Sequence, residues 1–208
     1  VKVPVEIKVI DWALPDTQDY RTWIEFMQSP ETLAMEYGLE PWSDRHWEMI
    51  AQSFRYFGET SSRVLYVPLI AHTNNGNEYS MVRWIKKADG KHDHDFSIMD
   101  KYLDTAAKNM GKPKIICFPA WEIYLIRKEF DDPAGHDTKA AVAARKDTIG
   151  KGPLVTVMDP ATKKQENVHL PLFTDAGSKE VWKPLFDQLR ARLKARGLED
   201  TAMLGMLS

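Results

Sequence analysis

The residues of this chain that could do chemistry stand where apolar runs give way to polar ones. Asp11 and Trp12 follow Val3–Ile10, His72 and Asn74 follow Val64–Ala71, and Trp121 and Glu122 follow Lys114–Pro119. Carboxylic acids and an imidazole can move protons, a carboxamide can both donate to and accept from hydroxyls, and a Trp face packs well on the C–H face of a sugar ring. Each has a plainer reading beside it. Asp11 could cap a loop, His72 could be a satisfied half-buried histidine, and Glu122 could be a surface loop glutamate. The turn Asn74-Asn75-Gly76-Asn77 explains its amides without any ligand.

Two other clusters look chemical at first sight. His92-Asp93-His94-Asp95 has the i, i+2 histidine spacing that points both rings the same way on a strand, but no third histidine or cysteine stands at a ligand spacing, so no metal is expected. Asp95 more plausibly sets the turn into the helix that follows. Trp42-Ser43-Asp44-Arg45-His46-Trp47 reads as a helix cap with packing aromatics. The chain carries no Gly-rich phosphate loop, no nucleophile elbow and no zinc-protease helix motif, and no cofactor is implied.

These residues need elements to position them. Val3, Val5, Ile7 and Val9 alternate with polar residues and predict a first strand, stopped by Pro15. Ser43 caps a helix with Trp47, Ile50, Ala51 and Phe54 inward, ended by Gly58, and Val64–Ala71 is a strand apolar on both faces. Residues 79–86 and the turn at Asp89-Gly90 suggest a hairpin. Ser97 is expected to cap a second helix, with Ile98, Met99, Tyr102, Leu103 and Ala106 inward, followed by a strand at 114–119. Residues 131–172 read as an insertion whose segments Leu154–Met158 and Asn167–Leu172 form a hairpin. A third helix spans Ser178–Ala195 despite Pro184, and residues 201–207 are a last apolar run.

Helix, break, two-sided apolar strand: the unit recurs three times, which favours a parallel sheet. The fold class expected is α/β, a partial (β/α)8 TIM-type barrel of roughly the first half, with a β-hairpin insertion, in a single domain over 1–208. A complete barrel needs about 250 residues, so a fragment of a longer parent chain with further domains is expected. In such folds ligands bind at the carboxyl ends of the strands, which is where Asp11, Trp12, His72, Asn74, Trp121 and Glu122 fall.

Composition narrows the partners. With 28 Lys+Arg against 30 Asp+Glu the net charge is −2, so there is no case for nucleic acid or an anionic membrane surface. No apolar run approaches the ~18 residues of a membrane span. Val1–Val9 has no charged n-region or cleavage site. The single cysteine, Cys117, is expected to be inert core.

Several motifs in order resemble the catalytic domain of glycoside hydrolase family 123. Trp42-Ser43-Asp44-Arg45-His46-Trp47 resembles that family's Trp-Ser-Asp-x-His-Trp. Ser80-Met81-Val82-Arg83-Trp84 and then Asp95-Phe96-Ser97-Ile98-Met99-Asp100-Lys101-Tyr102 resemble its next block, and Cys117-Phe118-Pro119-Ala120-Trp121 its following strand. The resemblance implies a (β/α)8 barrel, often after a β-sandwich, that removes β-linked N-acetylgalactosamine with retention. The implied mechanism is substrate-assisted: the acetamido oxygen attacks the anomeric carbon, an Asp orients it, and the adjacent Glu protonates the leaving oxygen. A glycan substrate and an exported, secreted or periplasmic location are likewise implied. The chain departs at the acid pair, for it contains no Asp-Glu dipeptide. The pair is expected near Met206-Leu207, replaced, or beyond Ser208. The rivals are a non-catalytic carbohydrate-binding or scaffolding domain, and a different barrel hydrolase using Asp11 or Glu122.

Overall fold

The computed structural model describes residues 2–73, 75–87, 89–122 and 151–207. Helix α1 (Pro30–Glu36) opens with Ser29 accepting the Thr32 N–H and proline at its first position. Helix α2 (Asp44–Glu59) starts at Ser43, whose hydroxyl accepts the His46 N–H at 3.3 Å. Strand β1 (Val64–Tyr66) follows, then the hairpin β2 (Arg83–Lys86) and β3 (His92–Asp95). Helix α3 (Ser97–Met110) leads to β4 (Ile115–Glu122). After residues 123–150 come β5 (Leu154–Met158), β6 (Gln165–His169), α4 (Ser178–Ala195) and β7 (Ala202–Leu207).

The strands form two sheets. In one, β1, β4 and β7 lie side by side, all parallel, with β4 in the middle. Each of the three is preceded in sequence by a long helix, α2, α3 and α4, as expected of an α/β sheet. In the other, two hairpins are joined in the order β3-β2-β5-β6, with β2 parallel to β5. Past Tyr66 the chain still follows β4, since Val67 and Leu69 donate to the carbonyls of Cys117 and Pro119 at 2.9 Å. Two residues on, Ala71 donates to Leu154 O at 2.7 Å, so the segment after β1 passes from one sheet to the other.

The core lies between these layers. Phe54 of α2 meets Tyr102 of α3 with ring centroids 5.1 Å apart, and Leu65, Ile116 and Phe118 are buried from the sheet. From α4, Leu185, Leu189 and Leu193 point inward as their spacing predicts, with Pro184 carried inside the helix.

Several expectations are corrected. Residues 2–10 form no strand: Val3, Val5, Ile7 and Val9 are 76–88% exposed, because alternation makes a strand only where a neighbouring strand supplies the ladder. The described sheet therefore has three parallel strands where four were expected. Ser97 does not cap α3. Phe96 holds the cap position, and the side chain of Asp95 accepts the Ser97 N–H at 2.9 Å, the turn-setting role read for Asp95. The second hairpin strand is Gln165–His169, earlier than Asn167–Leu172. Gly58 does not end α2 but lies inside it, where a Cβ would stand 3.1 Å from Met110 Cα, so its lack of side chain lets the ends of α2 and α3 touch.

Gly205 plays the same part in the parallel sheet. A Cβ there would collide with Cys117 Sγ on the neighbouring strand. Gly205→Ala is expected to destabilise the fold by about 1–3 kcal/mol in chemical unfolding, and Cys117→Ala in the same chain to restore most of the loss. An unchanged single variant would show that the two strands do not pack as described.

Candidate active site

Because β1, β4 and β7 are parallel, their carboxyl ends lie at one end of the sheet. Trp121 stands there, near the end of β4. The ladder with β7 shifts register between Pro119 and Trp121, and such an irregularity re-aims the side chain after it. Trp121 is neither buried nor free. Its ring meets Phe173 edge-on at 6.2 Å, Phe173 meets Trp182 of α4 at 5.0 Å, and Trp182 meets Trp84 of β2 edge-on at 5.4 Å. This file of rings fixes Trp121 from the core outward, with Phe173 partly in solvent. Glu122 ends β4, its backbone level with Leu207 of β7.

His72 lies beyond the end of β1 on a tightly built loop. Its φ of 56° is in the left-handed region, costly for a residue with a Cβ. The buried side chain of Asn77 holds the loop. Its Nδ2 donates to the carbonyls of Ile70 and Tyr79, both at 2.9 Å, and its Oδ1 accepts from the backbone and hydroxyl of Thr73. The His72 N–H donates to Asn77 O at 2.8 Å. His72 Nε2 is 3.3 Å from Glu78 Oε1 and 3.3 Å from Asn167 Nδ2 of β6. Asn167 also donates to Glu78 O at 2.8 Å and accepts from Thr156 of β5 at 2.9 Å. Glu31 closes the arrangement from α1, its carboxylate accepting the N–H groups of Glu78 and Tyr79. Burial pushes the Glu31 carboxyl up, against the lowering pull of those two N–H groups. Arg83 is buried behind it over the Tyr79 ring, with Nε donating to Gln165 Oε1 at 2.6 Å. Burial pulls its guanidinium down to about 10, against the charges of Glu31 and Asp95.

Of the sequence-predicted residues, then, Trp121 lies in the last pairs of the ladder at the carboxyl end of β4, and His72 lies beyond the end of the neighbouring strand β1. Asp11 and Trp12 are exposed on the segment that forms no strand, so the strand-end argument no longer places them. Asn74 and the side chain of Glu122 lie outside the described residues. Glu78, Asn167 and Phe173 were not singled out from the sequence. Their partners are 89 and 95 residues away in the case of Asn167, and no local pattern signals such pairs.

The histidine tract is packing. His92 and His94 do share a face, and that face lies on Trp84, with ring centroids at 5.4 and 4.5 Å. Among the described residues no group of three His, Cys, Asp or Glu side chains is placed to hold a metal ion. Burial lowers both imidazoles, His94 to about 4. Cys117 is half-buried and its thiol is pushed up by burial, so it is less reactive than a free thiol.

The motif at Trp42–Trp47 is also structural. His46 is fully buried. Its Nδ1 accepts the Trp42 N–H at 2.8 Å, so Nε2 must carry the proton that is given to Pro30 O at 2.8 Å. One neutral tautomer thus joins the starts of α1 and α2. It also holds Trp42 at a φ of 66°, its ring tilted against that of Trp47 with centroids 5.4 Å apart. Burial depresses the His46 pKa, although the Pro30 bond opposes this.

With this geometry in hand, the chain can be compared with known proteins. Residues 27–207 match the family model "Glycoside hydrolase 123, catalytic domain". No curated protein matches by sequence. Among solved structures, the fold resembles one described as a structural analysis of glycolipid glycan hydrolysis by a family 123 glycoside hydrolase from Clostridium perfringens. The TM-score is 0.66 at 16% identity, covering 94% of this chain and 31% of that one. The domain is an α/β domain built around a parallel sheet. It belongs to the glycoside hydrolase 123 catalytic-domain family, and it spans about a third of the length of that solved relative.

His46→Ala is expected to cost about 2–4 kcal/mol in urea unfolding, because it strands the Trp42 N–H and the Pro30 carbonyl in the interior. The three lowered histidines set a pH dependence. Below their ordinary value near 6.5 the unfolded chain takes up protons that the folded chain refuses, so stability falls from pH 6.5 toward pH 5. His94→Leu should flatten part of that fall, and stability that rises on acidification over this window would contradict the buried neutral rings.

Proposed function

We propose that this chain forms part of a glycoside hydrolase acting on glycans that end in β-linked N-acetylated amino sugars, N-acetylgalactosamine being the first candidate. The observation that carries this reading is the partly exposed Trp121 at the carboxyl end of the parallel sheet, braced by Phe173 and Trp182. A rigid indole at a strand tip offers a face for the C–H side of a sugar ring, and strand tips are where parallel α/β folds bind ligands. The relative from Clostridium perfringens is a family 123 enzyme described with glycolipid glycans, which agrees with a saccharide ligand. The order β1-β4-β7, each strand preceded by a helix, is the arrangement that part of a (β/α)8 barrel would have.

The chemistry we assign is retaining and substrate-assisted. The acetamido oxygen of the sugar attacks the anomeric carbon while the Glu of the family's Asp-Glu pair would give its proton to the glycosidic oxygen, so that the aglycone leaves as its alcohol. Water then opens the cyclic intermediate, so configuration is inverted twice and retained. The family's Asp-Glu pair belongs at the end of the strand after the long helix, which corresponds here to β7, next to Trp121 of β4. An exported location, secreted or periplasmic, is proposed with this activity because the family resemblance implies it.

One observation favours a second reading, a non-catalytic carbohydrate-binding domain: the 208 residues contain no Asp-Glu dipeptide. Incubation of the protein with an aryl N-acetyl-β-galactosaminide, followed by NMR of the released sugar, separates the two. The enzyme reading expects turnover with the β-anomer formed first, and a drop of about 10–100-fold in kcat/KM for Trp121→Ala. Saccharide binding without turnover would leave the binder, and neither turnover nor binding would end both.

A further inference from the structure

His72 and Glu78 face a groove of about 490 Å³ between α1 and the loop after β1. That size is within the ~300–1,000 Å³ of small-molecule clefts. One wall is apolar, from Met35, Leu39 and Pro41, and the other is polar, from Glu31, His72 and Glu78. His72 and Glu78 side chains are 50% and 63% exposed, so both can reach a ligand. Their chemistry is complementary. The Glu78 carboxylate only accepts, while His72 Nε2 can accept or donate. A sugar hydroxyl both donates and accepts, and a pyranose has one face of C–H groups for the apolar wall.

Two features make this a built surface and not an incidental loop. His72 is held in a left-handed conformation at φ 56° by the network around Asn77, a strain that the loop's hydrogen bonds maintain. From a distant part of the chain, Asn167 ties the backbone of Glu78 and stands against the imidazole, and is itself anchored on Thr156. The β5–β6 hairpin thereby holds the backbone of Glu78 and the ring of His72, and that ring in turn lies 3.3 Å from the Glu78 carboxylate.

Its place in the sheet says which sugar it would meet. The strand order is β1-β4-β7, and adjacent strands are about 4.8 Å apart. His72 stands six residues past the end of β1, on the segment that has crossed to the second sheet. With β4 between them, it lies at least two strand spacings, roughly 10 Å, from the tip of β7, where the acid pair of the reading above belongs. That is too far for the ring being cleaved and suits a neighbouring ring of the same oligosaccharide.

We propose that His72 and Glu78 form a saccharide subsite for a sugar beyond the one cleaved, with Asn167 as the residue that positions them. The inference rests on the glycoside hydrolase reading. It is tested with two substrates, an aryl N-acetyl-β-galactosaminide and a trisaccharide ending in β-linked N-acetylgalactosamine. His72→Ala and Glu78→Gln should each raise KM for the trisaccharide about tenfold, leaving its kcat and the kinetics of the aryl glycoside unchanged. Asn167→Ser should do the same more weakly. Equal effects on both substrates would reveal a merely structural role, and no effect on either would remove the subsite. Should the wild-type protein cleave neither substrate, the enzymatic reading fails on its own. Calorimetric titration with the trisaccharide then decides the subsite: weaker binding by Glu78→Gln than by wild type sustains it, and equal or absent binding overturns it.

Discussion

The parallel ladder on both sides of β4 is the constraint on which the rest of the structure depends. Val64–Tyr66 pairs with Ile115–Cys117 on one edge, and Ala202–Leu207 with Ile116–Glu122 on the other. Parallel pairing leaves no choice about direction, so the three tips must emerge at one end. The ladder closes only because Gly205 leaves room for Cys117. The second sheet is hung from the first where Ala71 donates to Leu154. Without that step Asn167 would have no reason to lie beside His72.

The aromatic residues work outward from this frame. Trp84 and Trp182 are buried, Phe173 is partly in solvent, and Trp121 lies at the sheet's edge of exposure. A side chain fixed through three ring contacts loses little freedom on meeting a ligand, which is what a platform requires. The same logic explains why the most chemical-looking stretches are structural. His46 is a neutral clamp between two helix starts, and His92 and His94 cover an indole.

This bears on what could be read from the residues alone. Periodicity and caps located the helices well, because Ser43, the leucines of α4 and the turn at Asp95 act over a few residues. The buried strands were legible for the same reason. The alternating run at Val3–Ile10 misled, since alternation records a capacity for pairing and not the presence of a partner. The motifs that resemble the family are largely core: Met81, Val82, Trp84, Phe96, Met99 and Tyr102 are all buried. They therefore reported the α/β core, and of the candidate site they included only Trp121. The contacts among His72, Glu78 and Asn167 depend on how two sheets meet, and nothing local in the sequence encodes that.

The central claim is that the carboxyl ends of β1, β4 and β7 together receive a saccharide. Mapping backbone amide shifts on titrating the protein with a β-linked N-acetylgalactosamine oligosaccharide tests this most directly. The account predicts that the responding amides cluster at 69–79, 120–122 and 205–207. Responses clustered instead at the opposite end of the sheet, around 62–64, 113–115 and 200–202, would contradict it.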